Sequence, residues 1–496
     1  SAIAYWLWVT RPRHARTSYN LVATPGTSRM KATISGHQMR YYKFSGLLLS
    51  TGWLTPAYIG VDQKGSIEYL SAEPPITLQT EQSEVEAVDG YAMPGFRNAH
   101  SHAFQYAMAG MAEQHAPGAS DDFWSWREAM YGCALAMRPD AIEAVAAMLY
   151  AEMLRYGYTH VVEFHYLHHD QQGQPYAHLA EMAERLIAAA ATAGIKITLV
   201  PVWYQRGDFD KPPFPGQRRF ICGSRDEYFK LLDASRAVIV NQPHARLGFG
   251  VHSLRAVAAA EVVATFAEGP SDLPFHLHVS EQLKEVEAAC LSLGMRPVEW
   301  LIQHLPLDAR FHLVHCTHLN DNEVMKLAQS GAHVVLCPGT EGNLGDGTFR
   351  LSEFARAGGR WSIGTDSQIS LNPVEDLRWL DYAQRLVTHK RNTFDNGARQ
   401  LTHMSWSAGN QALGIFGQTD YFAKGQPLDA VVYNASSPLF ARGRMDDCLS
   451  SIVYTADSST ILGTIVDGRW VVRYGRRQDA ESIRQAYDKA IRSITW

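Results

Sequence analysis

The sequence predicts an α/β protein: a (β/α)8 TIM barrel carrying a small β-sandwich domain built from its N- and C-terminal flanks. Three observations predict it. From residue 91 onward, short apolar runs alternate with longer stretches of helical composition, the pattern of repeated βα units. Eight such runs can be counted over some 300 residues. The residues able to do chemistry recur at the C-terminal ends of those runs, where barrel enzymes keep their sites.

The strand candidates, in order, are "YAMPGF" (91–96), "THVVEFHY" (159–166), "IKITLVPVWY" (195–204), "RLGFGVHS" (246–253), "PFHLHVSE" (274–281), "RFHLVHCTHL" (310–319), "AHVVLCP" (332–338) and "WSIGTDS" (361–367). Between them lie helical stretches such as "PDAIEAVAAMLYAEMLRYG", "HLAEMAERLIAAAATAG" and "NDNEVMKLAQSG". The last opens on an Asn cap signal and closes on Gly331, which supplies the left-handed residue that ends many helices. The flanks, residues 41–90 and 424–475, read as one small β domain. They hold short alternating strands such as "ILGTIVDGRWVV", with Asp467 and Gly468 as a hairpin turn signal. Residues 476–496 read as a C-terminal helix. Two insertions, roughly 99–137 and 205–225, follow the first and third strands; long loops on a catalytic face are commonly lids or substrate contacts.

With 496 residues, 46% hydrophobic and 19% charged, the chain can bury a large core and leaves little room for extensive disorder. Its net charge of -5 gives no basic footprint for nucleic acid. Cys133, Cys222, Cys290, Cys316, Cys337 and Cys448 form no CxxC, which argues against a disulfide framework and suits a reducing cytoplasm. No apolar run reaches membrane-spanning length. The first acidic residue is Asp62, whereas Arg11, Arg13, Arg16, Arg29, Lys31, Arg40 and Lys43 all precede it. This basic leader, residues 1–40, resembles a transit peptide, but no Arg period supports that. Met30 reads as an alternative start, with residues 1–29 as upstream sequence.

In "RNAHSHAFQ" (97–105), His100 and His102 stand two apart after an apolar run, so in an extended chain both imidazoles face the same way. Strand five offers His276, His278 and Glu281, strand six His315 and strand eight Asp366. Imidazole and carboxylate donors suit a zinc-like ion with one position left for water. The expected ligands are His100, His102, His278 and Asp366. His276 shares the face of His278 but lies earlier in its strand and so deeper in the barrel. Glu281, three residues beyond His278, is placed to shuttle a proton without being a ligand; a metal can lower the pKa of water from near 16 to about 7.

These motifs resemble the amidohydrolase superfamily, in its mononuclear deaminase branch. Within that branch "NAHSHAFQ", "AMAG", "EFHYLHH", "VHSLRAV", "LHVSEQ", "VHCTHL", "TEGNLGDG" and "SLNPVEDLRWLDYAQRL" are similar to the formimidoylglutamate deiminases, over about residues 90–475. The resemblance implies hydrolysis of N-formimino-L-glutamate to N-formyl-L-glutamate and ammonia during histidine degradation, with one zinc per chain, in the cytoplasm, by a homodimer. It assigns His315 as a catalytic, non-ligand histidine and Asp366 as a ligand that also accepts a proton. Gln105, Tyr166, His252 and Arg255 are implied to hold the substrate, with Arg127 reaching across the dimer to a carboxylate. A guanidinium at Arg255 also fits an acidic substrate on chemical grounds. Two departures stand out, Tyr106 where an arginine is expected and Gln368 where histidine is usual. Alternative activities are deamination of a purine, pterin or triazine by another member of the same superfamily, and a barrel without catalysis.

Overall fold

The computed structural model describes residues 39–76, 78, 84–113 and 123–495; the basic leader, up to residue 38, lies outside them. Five strands open the described chain: β1 (Arg40–Leu49), β2 (Gly52–Leu54), β3 (Ala57–Val61), β4 (Ile67–Ser71) and β5 (Val85–Pro94). Nine follow in the barrel: β6 (Phe96–Ser101), β7 (Tyr158–His165), β8 (Lys196–Trp203), β9 (Ala245–Leu247), β10 (Phe249–Ser253), β11 (Phe275–Val279), β12 (Phe311–His315), β13 (His333–Leu336) and β14 (Arg360–Ile363). The last three are β15 (Ala430–Asn434), β16 (Ile461–Val466) and β17 (Arg469–Arg473).

The barrel strands run in sequence from β6 to β14, with β9 a short extra pairing on β8. The loop after β14 closes the cylinder. Asp366 N donates to His100 O at 3.0 Å and His102 N to Asp366 O at 3.1 Å, so backbone bonds join the last strand's loop to the end of the first. Helices cover the outside. The segment Asp321–Ser330 has a reciprocal cap between Asn320 and Glu323 and stops at left-handed Gly331, satisfying orphan backbone groups at its ends. Phe249, Phe275 and Phe311 pair across β10, β11 and β12, and Phe266 from the helix Ala259–Glu268 packs against Phe275 and Phe311. All four rings are buried; each fully buried ring contributes about 1.5–3 kcal/mol.

Sequence from both flanks joins in one mixed sheet, ordered β17-β16-β15-β5-β1-β3-β4, with β2 on β1. The β16–β17 hairpin turns at Asp467 and Gly468, whose φ values are 47° and 63°, as expected of a turn with both central residues left-handed.

Two strand boundaries differ from the sequence expectation. The run "YAMPGF" is not the first barrel strand: Tyr91–Pro94 ends β5 in the mixed sheet, and the barrel begins at Phe96. Pro94 removes a backbone donor, and a Cβ on Gly95 would lie 2.3 Å from Thr159 Cγ2, so the chain changes sheets where only glycine fits. His100 consequently lies within the strand rather than after it. The fourth run divides into β9 and β10, and the intervening Gly248 N donates to Leu199 O at 2.9 Å. Among the described residues no helix is long and apolar enough to cross a membrane.

Candidate active site

β6 carries His100 and, just past its end, His102; β11 carries His278; the loop after β14 brings Asp366 beside them. His100 Nε2 lies 3.1 Å from His102 Nε2 and 3.0 Å from His278 Nε2. Asp366 Oδ1 is 3.4 Å from His100 Nε2 and 3.1 Å from His102 Nε2. Four donor atoms, one from each residue, all lie within 4.8 Å of one another.

The outer nitrogens explain the arrangement. His102 Nδ1 donates to Phe164 O at 3.0 Å and His278 Nδ1 to His252 O at 3.1 Å. A neutral imidazole that donates through Nδ1 presents a lone pair at Nε2. Burial pushes His100 down to about 4 and His278 well below the usual imidazole value, keeping both rings neutral. His102 and His278 therefore both present lone pairs to His100 Nε2, at 3.1 and 3.0 Å; one proton on that nitrogen can answer only one of them, whereas a cation among the three rings answers all. Ligands about 2.0–2.1 Å from a tetrahedral ion would stand roughly 3.4 Å apart. The donor set thus fits a zinc-like ion. Burial alone would raise the pKa of Asp366, but its contacts with the His100 and His102 rings hold it well below the carboxylate range. His276 takes no part in the cluster: its Nε2 faces Ala412 O at 3.2 Å.

A second group manages protons. Glu281 Oε1 lies 3.5 Å and Asp366 Oδ2 3.7 Å from His315 Nε2. On the other side of that ring Nδ1 is 3.3 Å from Glu341 Oε1. Glu341 also accepts from Cys337 N at 2.8 Å. Glu285 accepts from Ser280 N and Glu281 N, at 3.1 and 3.0 Å, clamping the turn that presents Glu281. Burial pushes Glu281 up to about 7, with Asp366 and Glu285 adding to the rise against His315 and Arg255. Burial works against a proton on His315, yet Glu281, Glu341 and Asp366 outweigh it and raise the ring to about 10. An ion in the ligand cluster would oppose that proton.

The backbone at this rim is strained. Ser280, His315, Cys316, Asp366 and Gln368 have φ values of 52°, 73°, 52°, 51° and 68°, a region costly to non-glycine residues by about 1–3 kcal/mol each. Gln368, one of the two sequence departures, braces the ligand loop, since its Nε2 donates to Asp366 O at 2.8 Å and Ser101 Oγ at 2.9 Å. Tyr106, the other, turns away and packs on Tyr487 at 5.8 Å between ring centres.

Above the cluster a pocket is lined by His102, His278, Glu281, His315 and Asp366, and by Gln105, Tyr166, His252, Arg255 and Arg127. Gln105 Nε2 donates to Tyr166 Oη at 3.0 Å. The His252 ring lies 4.7 Å from that of His278. Arg127 stands over Trp124 at 4.4 Å and lines the pocket. Its helix, Phe123–Ala136, carries it over the barrel mouth. Arg127 Nε and Nη1 and Arg255 Nε are buried without an acceptor.

Sequence reasoning did not find Glu341, nor the aromatic wall of Phe123, Trp126, Tyr131, Tyr204 and Phe220. An acid just past the seventh strand, in "CPGTEGN", was the available signal for Glu341. The two insertions meet in this wall: Gln217 Nε2 donates to Tyr131 Oη at 2.8 Å and Tyr204 Oη at 2.9 Å. Arg219 adds bonds to the carbonyls of Ala134, Met137 and His169.

A (β/α)8 barrel whose rim gathers three imidazoles and a carboxylate beside a buried acid defines the class of metal-dependent hydrolases. The chain belongs to the amidohydrolase family, which it matches over residues 91–471, and it is an enzyme acting on C–N bonds. It is 43% identical over 408 residues to formimidoylglutamate deiminase of Pseudomonas aeruginosa, covering 81% of this chain and 89% of that one. The crystal structure of an amidohydrolase from Brucella melitensis superposes with a TM-score of 0.84 at 38% identity, covering 92% of this chain and 99% of that one. A zinc-bound adenosine deaminase from Xanthomonas campestris shares the fold, with a TM-score of 0.74 at 21% identity over 92% of this chain and 98% of that one.

Proposed function

We propose that this enzyme hydrolyses N-formimino-L-glutamate to N-formyl-L-glutamate and ammonia, with His100, His102, His278 and Asp366 as ligands of one zinc ion. The observation that carries the substrate reading is the pair of guanidiniums, Arg127 and Arg255, with buried nitrogens lacking acceptors in the pocket above the ligand cluster. An acidic, flexible substrate supplies anionic acceptors to both guanidiniums; a neutral planar ring offers them only uncharged ones. The P. aeruginosa relative carries the same activity in its name.

When bound, a zinc ion acidifies water to a pKa of about 7. The chain's own residues do the rest. Arg255 and Arg127 grip carboxylate oxygens, while Gln105, Tyr166 and His252 align the formimino group over the cluster. Glu281, with a carboxyl pushed up to about 7, takes the proton from the attacking water and gives it to the terminal nitrogen. The new C–O bond forms at the formimino carbon, the C–N bond to that nitrogen breaks, and ammonia leaves. His315 donates through Nε2 to the oxygen being transferred, and Asp366 accepts the second water proton and returns it to the departing nitrogen, which thereby gains both protons of the water and leaves as NH3. The aromatic wall keeps bulk water away.

The proposal includes a cytoplasmic setting, which the six unbonded cysteines suit, and a homodimer, on the family resemblance. Ammonia release measured in parallel from N-formimino-L-glutamate and guanine tests the substrate. Turnover of the first alone is expected; turnover of guanine alone replaces this reading with a purine aminohydrolase.

A further inference from the structure

The end of the barrel opposite the catalytic rim holds a basic chamber of about 840 Å³, a size typical of small-molecule sites at roughly 300–1,000 Å³. The register of the first strands builds it. Arg97 on β6 pairs with His160 on β7, His160 with Lys196 on β8, and Thr198 with Arg246 on β9. Four basic side chains are thereby set side by side where these strands begin, and Lys64 joins them from the mixed sheet.

Their charges are unequally answered. Lys196 Nζ reaches Asp429 at 2.8 Å and Asp467 at 2.6 Å, which occupies both carboxylates lining the chamber. Arg97 is 5% exposed, yet it bonds only neutral oxygens: Asn410 Oδ1 at 2.8 Å, Gly95 O at 3.0 Å and Thr159 Oγ1 at 2.6 Å. A buried guanidinium without an anion in hydrogen-bond reach is costly, and burial draws Arg97 down to about 10 against the more distant charge of Asp429. His160, 4% exposed, sits beside it. Burial comes first and the charges of Arg97, Lys196 and Arg246 follow in holding the imidazole well below its usual value, so the local field is positive. Arg246 and Lys64 are exposed at the opening and form no ion pair among the described residues.

We propose that this chamber binds a phosphate-type dianion, free or as the phosphomonoester end of a small metabolite, on a floor of Arg97 and His160 with Arg246 and Lys64 at its mouth. A tetrahedral oxyanion can accept from donors on several sides at once: Arg97 keeps Nη2 to donate while its Nε and Nη1 are engaged, and the guanidinium fork of exposed Arg246 can meet two oxygens. None of these residues lines the catalytic pocket, so the proposal stands apart from the substrate assignment.

Calorimetric titration of the zinc-loaded, full-length enzyme with inorganic phosphate, and separately with adenosine 5′-monophosphate, at low salt and neutral pH, tests it. Saturable binding with a Kd of about 1 mM or tighter is expected. Arg246→Glu and Lys64→Glu, both at exposed positions, should each weaken it by roughly tenfold or more through charge reversal, with metal content and turnover unchanged. An ester bound much tighter than phosphate assigns the site to a phosphorylated metabolite; equal affinities assign it to the free ion. The proposal is overturned if neither probe saturates, or if binding persists undiminished in both variants; competitive inhibition of ammonia release would then place the anion at the catalytic rim.

Discussion

Glu281→Gln separates metal binding from proton transfer. The amide has the volume of the carboxyl, and the clamp on this turn runs through the backbone nitrogens of Ser280 and Glu281 to Glu285, so local geometry should survive. Glu281 is not among the four residues of the ligand cluster, so zinc content should remain unchanged. The amide cannot take up and release a proton near neutrality. General acid–base catalysis contributes about 10²–10⁴-fold, and a group poised at about 7 is close to the best match for proton transfer at neutral pH. We therefore expect kcat to fall roughly 10³-fold, about 4 kcal/mol at 1.36 kcal/mol per decade. KM should move little, because Arg127 and Arg255 are untouched.

The assay is ammonia release under substrate saturation, with metal measured on the same preparation. Stability supplies the control. A carboxyl whose pKa is raised on folding weakens the fold as pH rises from the unfolded value through about 7. At pH 8 the metal-free variant should thus melt no lower than the metal-free parent. A kcat within about threefold of the parent, at equal zinc content, refutes the shuttle role.

Chelation should lower the melting temperature without abolishing the fold, because at least one buried imidazole lone pair is left unanswered; zinc should restore it, by about 4 kcal/mol at a thousandfold excess over Kd. Melting that is blind to chelator would mean that the four side chains hold no ion. Glu341→Gln keeps an acceptor for His315 Nδ1 and Cys337 N but removes the charge; kcat should drop about tenfold or more, KM should stay, and the His315 ring should titrate lower by NMR. An unchanged His315 titration would remove Glu341 from the mechanism. Ser280→Gly relieves a left-handed φ of 52° and a buried hydroxyl without a partner. Those gains, about 1–3 kcal/mol each, exceed the roughly 0.5–1 kcal/mol entropic cost of glycine, so the denaturation midpoint should rise. A lower midpoint would show that the serine is held there without strain.

Local pattern and tertiary arrangement divide what the sequence discloses from what it hides. His100 and His102 are legible because a period of two puts them on one face, and His278 because it ends an apolar run. Asp366 is readable only as a residue past the eighth run; its contact with His100 depends on barrel closure across some 266 positions, which no local pattern encodes. The start of the barrel is misread because Tyr91–Pro94 is as apolar as a barrel strand, and only pairing with β1 and β15 assigns it elsewhere. Glu341 and the aromatic wall escape for a related reason. Their segments are short or irregular, and their neighbours come from insertions whose course follows no period.

The backbone bonds between Asp366, His100 and His102 make the seam of the cylinder and the ion-binding cluster a single structure. A nascent chain cannot assemble this centre piecemeal, since its first and last donors meet only once all eight staves are in place. Capture of the ion by all four donors is then a report that the whole barrel has formed, and truncated or half-wound species lack at least the Asp366 carboxylate.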